Sequence, residues 1–429
     1  MSKHRILGNA AWIIGCRIIQ AILAVVITML TARYLGPSDY GLINYASSLV
    51  AFLAPIGKLG LDSILVNEII NQPEHEGETL GTAIVLSLIS SVFCMLGLAG
   101  FVAIANPGEA VTSLVCVLYS FVLLAYAVEL TQFWFQAHLL SKYPSLATLV
   151  AYIVKSAYQV FLLVKGSSIY WFAITNAFDI LLIAVIILAV YRCKNGQALM
   201  FSWISAKRML SQSKHHIVAS MMVTIFANTD RIMIKVMIGD TQTGLYSAAV
   251  ACAGLTNFVF SAIIYSTQPI ILEKYRQKSK TYETILTLLY AVVIWLSLLQ
   301  SVVMASFSPF IINTLYGKDY LLAVDPLRLI VWYTTFSYLG AVRNIWIIAN
   351  KRHEILWKIN LTGALGNILL NLLLIPILGI SGAAIASLLT QIITNVVLCF
   401  IFTDLKPTVR YMKDAINPHV CLRLIKSLH

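Results

Sequence analysis

Long apolar runs separated by short polar breaks set the pattern of this chain. Runs near residues 8–33, 41–70, 79–105, 110–138, 144–165 and 169–191 precede a polar stretch at 192–215. Six more follow near 216–238, 244–272, 283–306, 327–349, 355–378 and 380–403, ahead of a basic tail. A helix needs roughly 20 apolar residues to cross the hydrocarbon core of a bilayer. The pattern therefore predicts an all-α integral membrane protein with about twelve spans. The expected organisation is an N-terminal six-helix bundle (1–191), an inter-lobe loop (192–215), a C-terminal six-helix bundle (216–403) and a cytoplasmic tail (404–429). Met1–Arg5 leads into a run too long for a signal-peptide core and without an A-x-A cleavage site, so the first span is expected to be retained.

Composition agrees: 59% of residues are hydrophobic and 11% charged, with mean hydropathy +0.84, which excludes a soluble globular class. Charge adds orientation. With the N-terminus inside, 19 Lys and Arg fall in loops and tails on that side and only Arg33, Lys165 and Lys318 on the other. Cytoplasmic segments retain positive charge, so both termini are expected in the cytoplasm of a bacterial cell, with the chain in its inner membrane. The net charge of +12 then reflects loops facing an anionic leaflet and implies no nucleic acid. Five of the seven cysteines lie inside apolar runs, so no disulfide framework is expected. The acidic turn NQPEHEGE (Asn71–Glu78) reads as solvated, because His75 lacks companions at metal-ligand spacing and no metal is expected.

An internal repeat is visible. LGPSDYGLINYA (Leu35–Ala46) aligns with IGDTQTGLYSAA (Ile238–Ala249) at an offset of 203, matching Gly36 to Gly239, Gly41 to Gly244, Leu42 to Leu245 and Ala46 to Ala249. Six crossings return a chain to its starting side, so the two halves are expected to be parallel repeats about an axis along the membrane normal, with substrate between them.

The segments ARYLGPSDYGLINYASSL (Ala32–Leu49), KLGLDSILVNE (Lys58–Glu68), NTDRIMIKVMIGDTQTGLYSAA (Asn228–Ala249) and LNLLLIPILGISGAAIAS (Leu370–Ser387) resemble the O-antigen and polysaccharide flippases. These belong to the multidrug/oligosaccharidyl-lipid/polysaccharide exporter superfamily. The resemblance, collinear over about 8–403, implies two bundles in a V, alternating access, and transfer of an undecaprenyl-pyrophosphate-linked repeat unit from inner to outer leaflet. It also implies membrane lipids, a polysaccharide polymerase and a chain-length regulator as partners.

Ionisable residues inside the runs are costly in lipid and so mark candidate sites. Arg17, Lys58, Lys155 and Asp179 fall near mid-depth of the first half, with Asp62 and Glu129 close by, while the second half carries Asp230, Arg231, Lys235 and Arg343. A diphosphate loses water cheaply only where fixed cations replace it. This makes Arg17, Lys58, Lys155, Arg231, Lys235 and Arg343 candidates for the substrate head group. Asp62, Glu129, Asp179 and Asp230 are candidates to carry a coupling H+ or Na+, with no other cofactor expected. Pro55, Gly57 and Gly60 interrupt the helix around Lys58, and such breaks are tolerated where they line a cavity. The alternative is that these charges only hold the bundle together, as Lys58 would with Asp62 one turn away. Phe133, Trp134 and Phe135 read as interfacial belt aromatics.

Two rival functions remain on sequence grounds. A membrane-embedded polymerase or glycosyltransferase would use the same lipid-linked substrate, but no HExxH, P-loop, GxSxG or paired CxxC motif supports catalysis. A drug or peptidoglycan-precursor exporter of the same superfamily is nearer. A basic first half favours a large anionic cargo over a cationic drug.

Overall fold

The computed structural model describes the backbone of residues 3–279 and 281–426, and the side chains of residues 20, 23–279 and 281–424. Arg17 therefore lies outside the described side chains. Contacts divide the chain into two units, 1–228 and 229–429. Unit 1 holds α1 (Lys3–Gly57), α2 (Leu65–Asn71), α3 (Glu76–Ala105), α4 (Ala110–Glu129), α5 (Gln132–Ala137), α6 (Lys142–Lys165), α7 (Ile169–Cys193) and most of α8 (Trp203–Ile238). Unit 2 begins in the last turns of α8. It continues with α9 (Asp240–Ala253), α10 (Asn257–Arg276), α11 (Thr281–Ser306), α12 (Ser308–Leu315), α13 (Val324–Ala349), α14 (His353–Ile392), α15 (Leu398–Ile401), α16 (Lys406–Ile416) and α17 (Pro418–Lys426).

Among the described residues, nine helical stretches are long and apolar enough to cross a membrane. Two of them contain a sharp break, α1 at Gly36 and α14 at Gly379, and each holds two spans. The remaining span is α13, which falls short on hydropathy because buried Thr334, Thr335, Tyr338 and Arg343 punctuate it. Divided in this way the helices number twelve and match the twelve sequence runs. The chain is a multi-pass, all-α membrane protein. The polar stretch at 192–215 is not wholly loop, because α8 starts at Trp203. At 1.5 Å per residue its 36 residues reach about 54 Å, well beyond the hydrocarbon thickness, so its first turns need no apolar composition.

Backbone conformation carries the repeat into three dimensions. Gly36 (φ 71, ψ 174) and Gly239 (φ 97, ψ −179) adopt the same left-sided, extended conformation, one that essentially only glycine occupies. Each lies where the first helix of a half gives way to the second. Downstream, Ala46 and Ala249 are both fully buried. Each of the six turns that the charge count places outside contains one positive-φ glycine: Gly36, Gly108, Gly166, Gly239, Gly317 and Gly379. The turns on the other side instead use Leu139, Asn195, Lys278 and Lys351 at positive φ.

The predicted break beside Lys58 is present. Helix α1 ends at Gly57, Leu59 (φ 53) and Gly60 (φ 62) are both left-handed, and a 3-10 turn at Leu61–Ser63 leads to α2. Carbonyl groups freed by the break are satisfied from α3, where Ser87 Oγ donates to the Gly57 carbonyl at 2.9 Å and Ser90 Oγ to that of Ile56 at 2.7 Å. A side chain at Gly60 would sit 2.9 Å from the backbone nitrogen of Ile217 in α8, so only glycine lets this turn approach that helix.

Candidate charge centres of the two units

In unit 1 Lys155 lies well inside its helix as expected, whereas Lys58, expected near mid-depth, stands just past the end of its span at Gly57; each is set against a carboxylate. Lys58 follows the last residue of α1, and its Nζ stands 3.7 Å from Glu129 Oε2 at the end of α4 and 4.1 Å above the Tyr126 ring. Its partner is Glu129 rather than Asp62. The chain turns away through the left-handed Leu59–Gly60 pair, and Asp62 is left half-buried with Ser63 Oγ at 3.5 Å. One helical turn of spacing holds only where the helix continues.

Lys155 of α6 donates to Asp179 Oδ2 of α7 at 3.2 Å and to Asn176 Oδ1 at 2.6 Å. Asn176 Nδ2 in turn donates to Tyr119 OH of α4 at 2.8 Å. Lys155 and Asp179 are both buried, whereas Lys58 and Glu129 keep 21% and 18% of their side-chain surface. The Lys58 pair is therefore the reachable one. Asp179 lies within electrostatic reach of Glu129, Tyr119, Tyr126 and Tyr152, so two lysines and two carboxylates share one tyrosine-lined setting.

Unit 2 treats its buried charges otherwise. Asp230 on α8 is 8% exposed and contacts no cation among the described residues. Neutral donors surround it instead: Tyr246 OH from α9 at 2.5 Å, Asn371 Nδ2 from the first half of α14 at 2.7 Å, and Ser387 Oγ from its second half. Asn371 also donates to Asn367 Oδ1 at 3.1 Å. The second amide oxygen, Asn371 Oδ1, is fully buried with no partner. A buried carbonyl oxygen left unpaired costs about 1–3 kcal/mol. Two strong acceptors thus lie together in a buried setting, with hydroxyl and amide groups around them and Arg231, like Asp230, within electrostatic reach of Tyr246 and Tyr333.

The remaining cations of unit 2 separate. Lys235 lies at the end of α8 and bridges the Gly239 turn to Asp240 at 2.9 Å, a contact that fastens the turn. Arg343 of α13, 3% exposed, donates through Nη1 to the Thr394 carbonyl at 2.7 Å and through Nη2 to Asn344 Oδ1 at 3.2 Å. Thr394 lies in a π-helical turn, Ile393–Val397, whose widened register releases that carbonyl. Gly340 makes room for the same turn, since a Cβ there would meet Asn395 Oδ1 at 2.3 Å. Arg231 is half-buried, with its Nε unpartnered.

Tyr119, Tyr126 and Asn176 around the lysines, and Tyr246, Asn367, Asn371 and Ser387 around Asp230, were not among the sequence candidates. The four-residue spacing of Asn367 and Asn371 in an otherwise apolar helix was the available signal, since it places two amides on one face. Two of the three aromatic residues are also reassigned, while Phe133 is half-buried. Trp134 and Phe135 are buried rather than interfacial, and Trp134 Nε1 donates to Glu76 Oε2 at 2.7 Å.

These features define a multi-pass helical membrane fold with hydrogen-bonded and ion-paired groups inside it. Comparison with known proteins agrees. The profile described as polysaccharide biosynthesis protein matches residues 6–274, more than half of the chain, and the chain belongs to that family. Its fold is similar to that of lipid II flippase MurJ in an inward closed conformation (TM-score 0.69, 15% identity, 94% of this chain and 90% of that one). It is also similar to an inward-facing multidrug resistance MATE transporter of the MOP superfamily (TM-score 0.66, 13% identity, 90% and 95%). A MOP superfamily transporter from Pyrococcus furiosus aligns with TM-score 0.62 at 12% identity over 93% and 97%. In sequence, an uncharacterized membrane protein of Methanocaldococcus jannaschii is 31% identical over 135 residues, which is 31% of this chain and about a quarter (26%) of that relative's length.

Proposed function

We propose that the chain is a flippase that carries undecaprenyl-pyrophosphate-linked oligosaccharide, an O-antigen or similar repeat unit, from the cytoplasmic to the periplasmic leaflet of the inner membrane. The carrying observation is the Lys58–Glu129 pair. It sits at a helix break, stays about a fifth exposed, and is held at 3.7 Å, looser than the buried Lys155–Asp179 pair. A diphosphate offers Lys58 more negative charge than one carboxylate does, so it can displace Glu129 from the lysine. Family membership supports a polysaccharide precursor as cargo, and the transporter fold supports alternating access. Both termini would then be cytoplasmic, with polymerase and chain-length regulator acting downstream.

Asp230 is the coupling centre in this reading. Among the four candidate carboxylates, Glu129 and Asp179 are committed to lysines and Asp62 is half-buried beside Ser63, while Asp230 is buried without a cation. Its own oxygens, Ser387 Oγ and Tyr246 OH are oxygen ligands of the kind that suits H+ or Na+, and Asn371, which turns Nδ2 toward Asp230, would add Oδ1 on turning its amide over. Bound there, the cation neutralises the carboxylate and gives the orphaned amide oxygen a partner. The three donors then release Asp230 and the two halves of α14 that they fasten.

The test is the leaflet at which precursor accumulates in cells lacking the protein. Lipid-linked repeat unit protected from externally added modifying reagents is expected, and accumulation on the outer leaflet would favour a polymerase instead. Lys58→Ala and Arg17→Ala should insert normally yet fail to complement, with Arg17→Lys partly active. Full complementation by both alanine variants would remove the cationic-site argument.

A further inference from the structure

The chain between α7 and α8 is neither loose nor buried. Residues 197–208 are clamped to the start of α3 and to α2. Gln197 Oε1 accepts from the Gly77 amide at 3.0 Å, and the Met200 amide donates to the Gly77 carbonyl at 3.3 Å. Farther along, the Ser202 amide donates to Thr82 Oγ1 at 3.0 Å, Ser205 Oγ to Glu78 Oε1 at 2.7 Å, and Arg208 Nε pairs with Glu68 at 3.1 Å. Gly77 and Gly81, one turn apart, admit this strand, since a Cβ on either would fall within 2.5 Å of the Ala198 or Met200 carbonyl oxygen.

The clamp fixes what the outer side of the segment presents. Met200, Phe201, Trp203 and Ile204 are all exposed, Trp203 and Ile204 at 77% and 80%. Beside them an open hollow of about 540 Å³ is lined by Trp203, Ile204, Lys207, Arg208 and Ser211. Residues 192–215 contain Arg192, Lys194, Lys207, Arg208 and Lys214 and no Asp or Glu. Arg208 is occupied by Glu68, whereas Lys207 is exposed and has no ion pair among the described residues. Because two spans bracket the segment, it lies where a bilayer meets water. An apolar wedge with an aromatic and a cationic rim matches an anionic lipid surface.

We propose that this segment is a membrane foot: Trp203 and Ile204 enter the acyl boundary, and Lys207 binds the phosphate of an anionic phospholipid in the hollow. The clamp makes the foot a rigid extension of α2 and α3, so bound lipid holds the start of α8 in place. This inference does not depend on which cargo is carried.

The experiment uses the full chain in phosphatidylcholine nanodiscs doped with chain-brominated phosphatidylglycerol, reading tryptophan fluorescence. Brominated phosphatidylglycerol is expected to quench one component of the eight-tryptophan signal more strongly than brominated phosphatidylcholine does, and Trp203→Phe should lack that component. Lys207→Gln should lower the preference about fivefold, one lysine's share at an anionic surface. Equal quenching by the two lipids, or a preference unchanged in Lys207→Gln, overturns the proposal. So does displacement of the brominated lipid by inorganic phosphate, which would make the hollow a free-anion site, or by undecaprenyl diphosphate, which would assign it to the cargo.

Discussion

The two units carry similar turns and dissimilar charges. Gly36 and Gly239 share a conformation at the same place in the repeat, but the position equivalent to Asp230 is Ile27, buried and apolar, and that equivalent to Lys58 is Ser261. Unit 1 neutralises two lysines with two carboxylates; unit 2 pairs Lys235 with Asp240 but surrounds Asp230 with neutral donors and sets one guanidinium on a backbone carbonyl. An ion pair is already satisfied, and a substrate must compete for it. A carboxylate held only by hydroxyl and amide donors still lacks positive charge. The backbone repeat therefore serves as a scaffold that the two halves fill with different charge arrangements.

The sharpest way to break this contrast is to remove one member of a pair in unit 1. Asp179→Asn leaves Lys155 buried without its counter-charge, and a loss of about 3–5 kcal/mol is expected, measured as earlier thermal unfolding in detergent. The double variant Lys155→Met/Asp179→Leu should recover most of that stability. If Asp179→Asn unfolds like the parent protein, the pair is not what holds α6 to α7.

The corresponding change in unit 2 should affect ions more than folding. Asp230→Asn is expected to abolish cation binding and cut translocation at least a hundredfold, equivalent to about 2.7 kcal/mol. Its melting temperature should move less than that of Asp179→Asn. Cation-dependent stabilisation measured on both proteins is the check, and a cation response that survives Asp230→Asn would displace the coupling assignment.

A smaller effect is expected at Arg343, where Met in its place strands the Thr394 carbonyl in the π turn. A cost of about 1–3 kcal/mol follows for one unpaired buried acceptor, with faster amide exchange confined to α13 and the end of α14. Smallest of all, Gly36→Ala and Gly239→Ala should each cost about 1–2 kcal/mol from backbone strain alone, since no atom lies within 4 Å of either new Cβ. Similar values at the two positions would confirm that the scaffold is shared, and a large difference would restrict the repeat to sequence.

Sequence by itself determined the class, the twelve crossings and the repeat, because each rests on local properties: apolar length, one offset of 203, and glycines that set turn conformation. It also placed Glu129, Lys155, Asp179, Asp230 and Arg343 within helices and the break at Lys58, although Lys58 and Asp62 themselves fall beyond the end of α1. Only the tertiary structure decided which charge meets which. Glu129 rather than Asp62 reaches Lys58, because two left-handed residues turn the chain before Asp62. Tyr246, Asn371 and Ser387 converge on Asp230 from three helical segments, a meeting that no spacing along the chain encodes. In a medium without water a buried polar group gains most from a partner inside the protein, and those partners are chosen by packing in space.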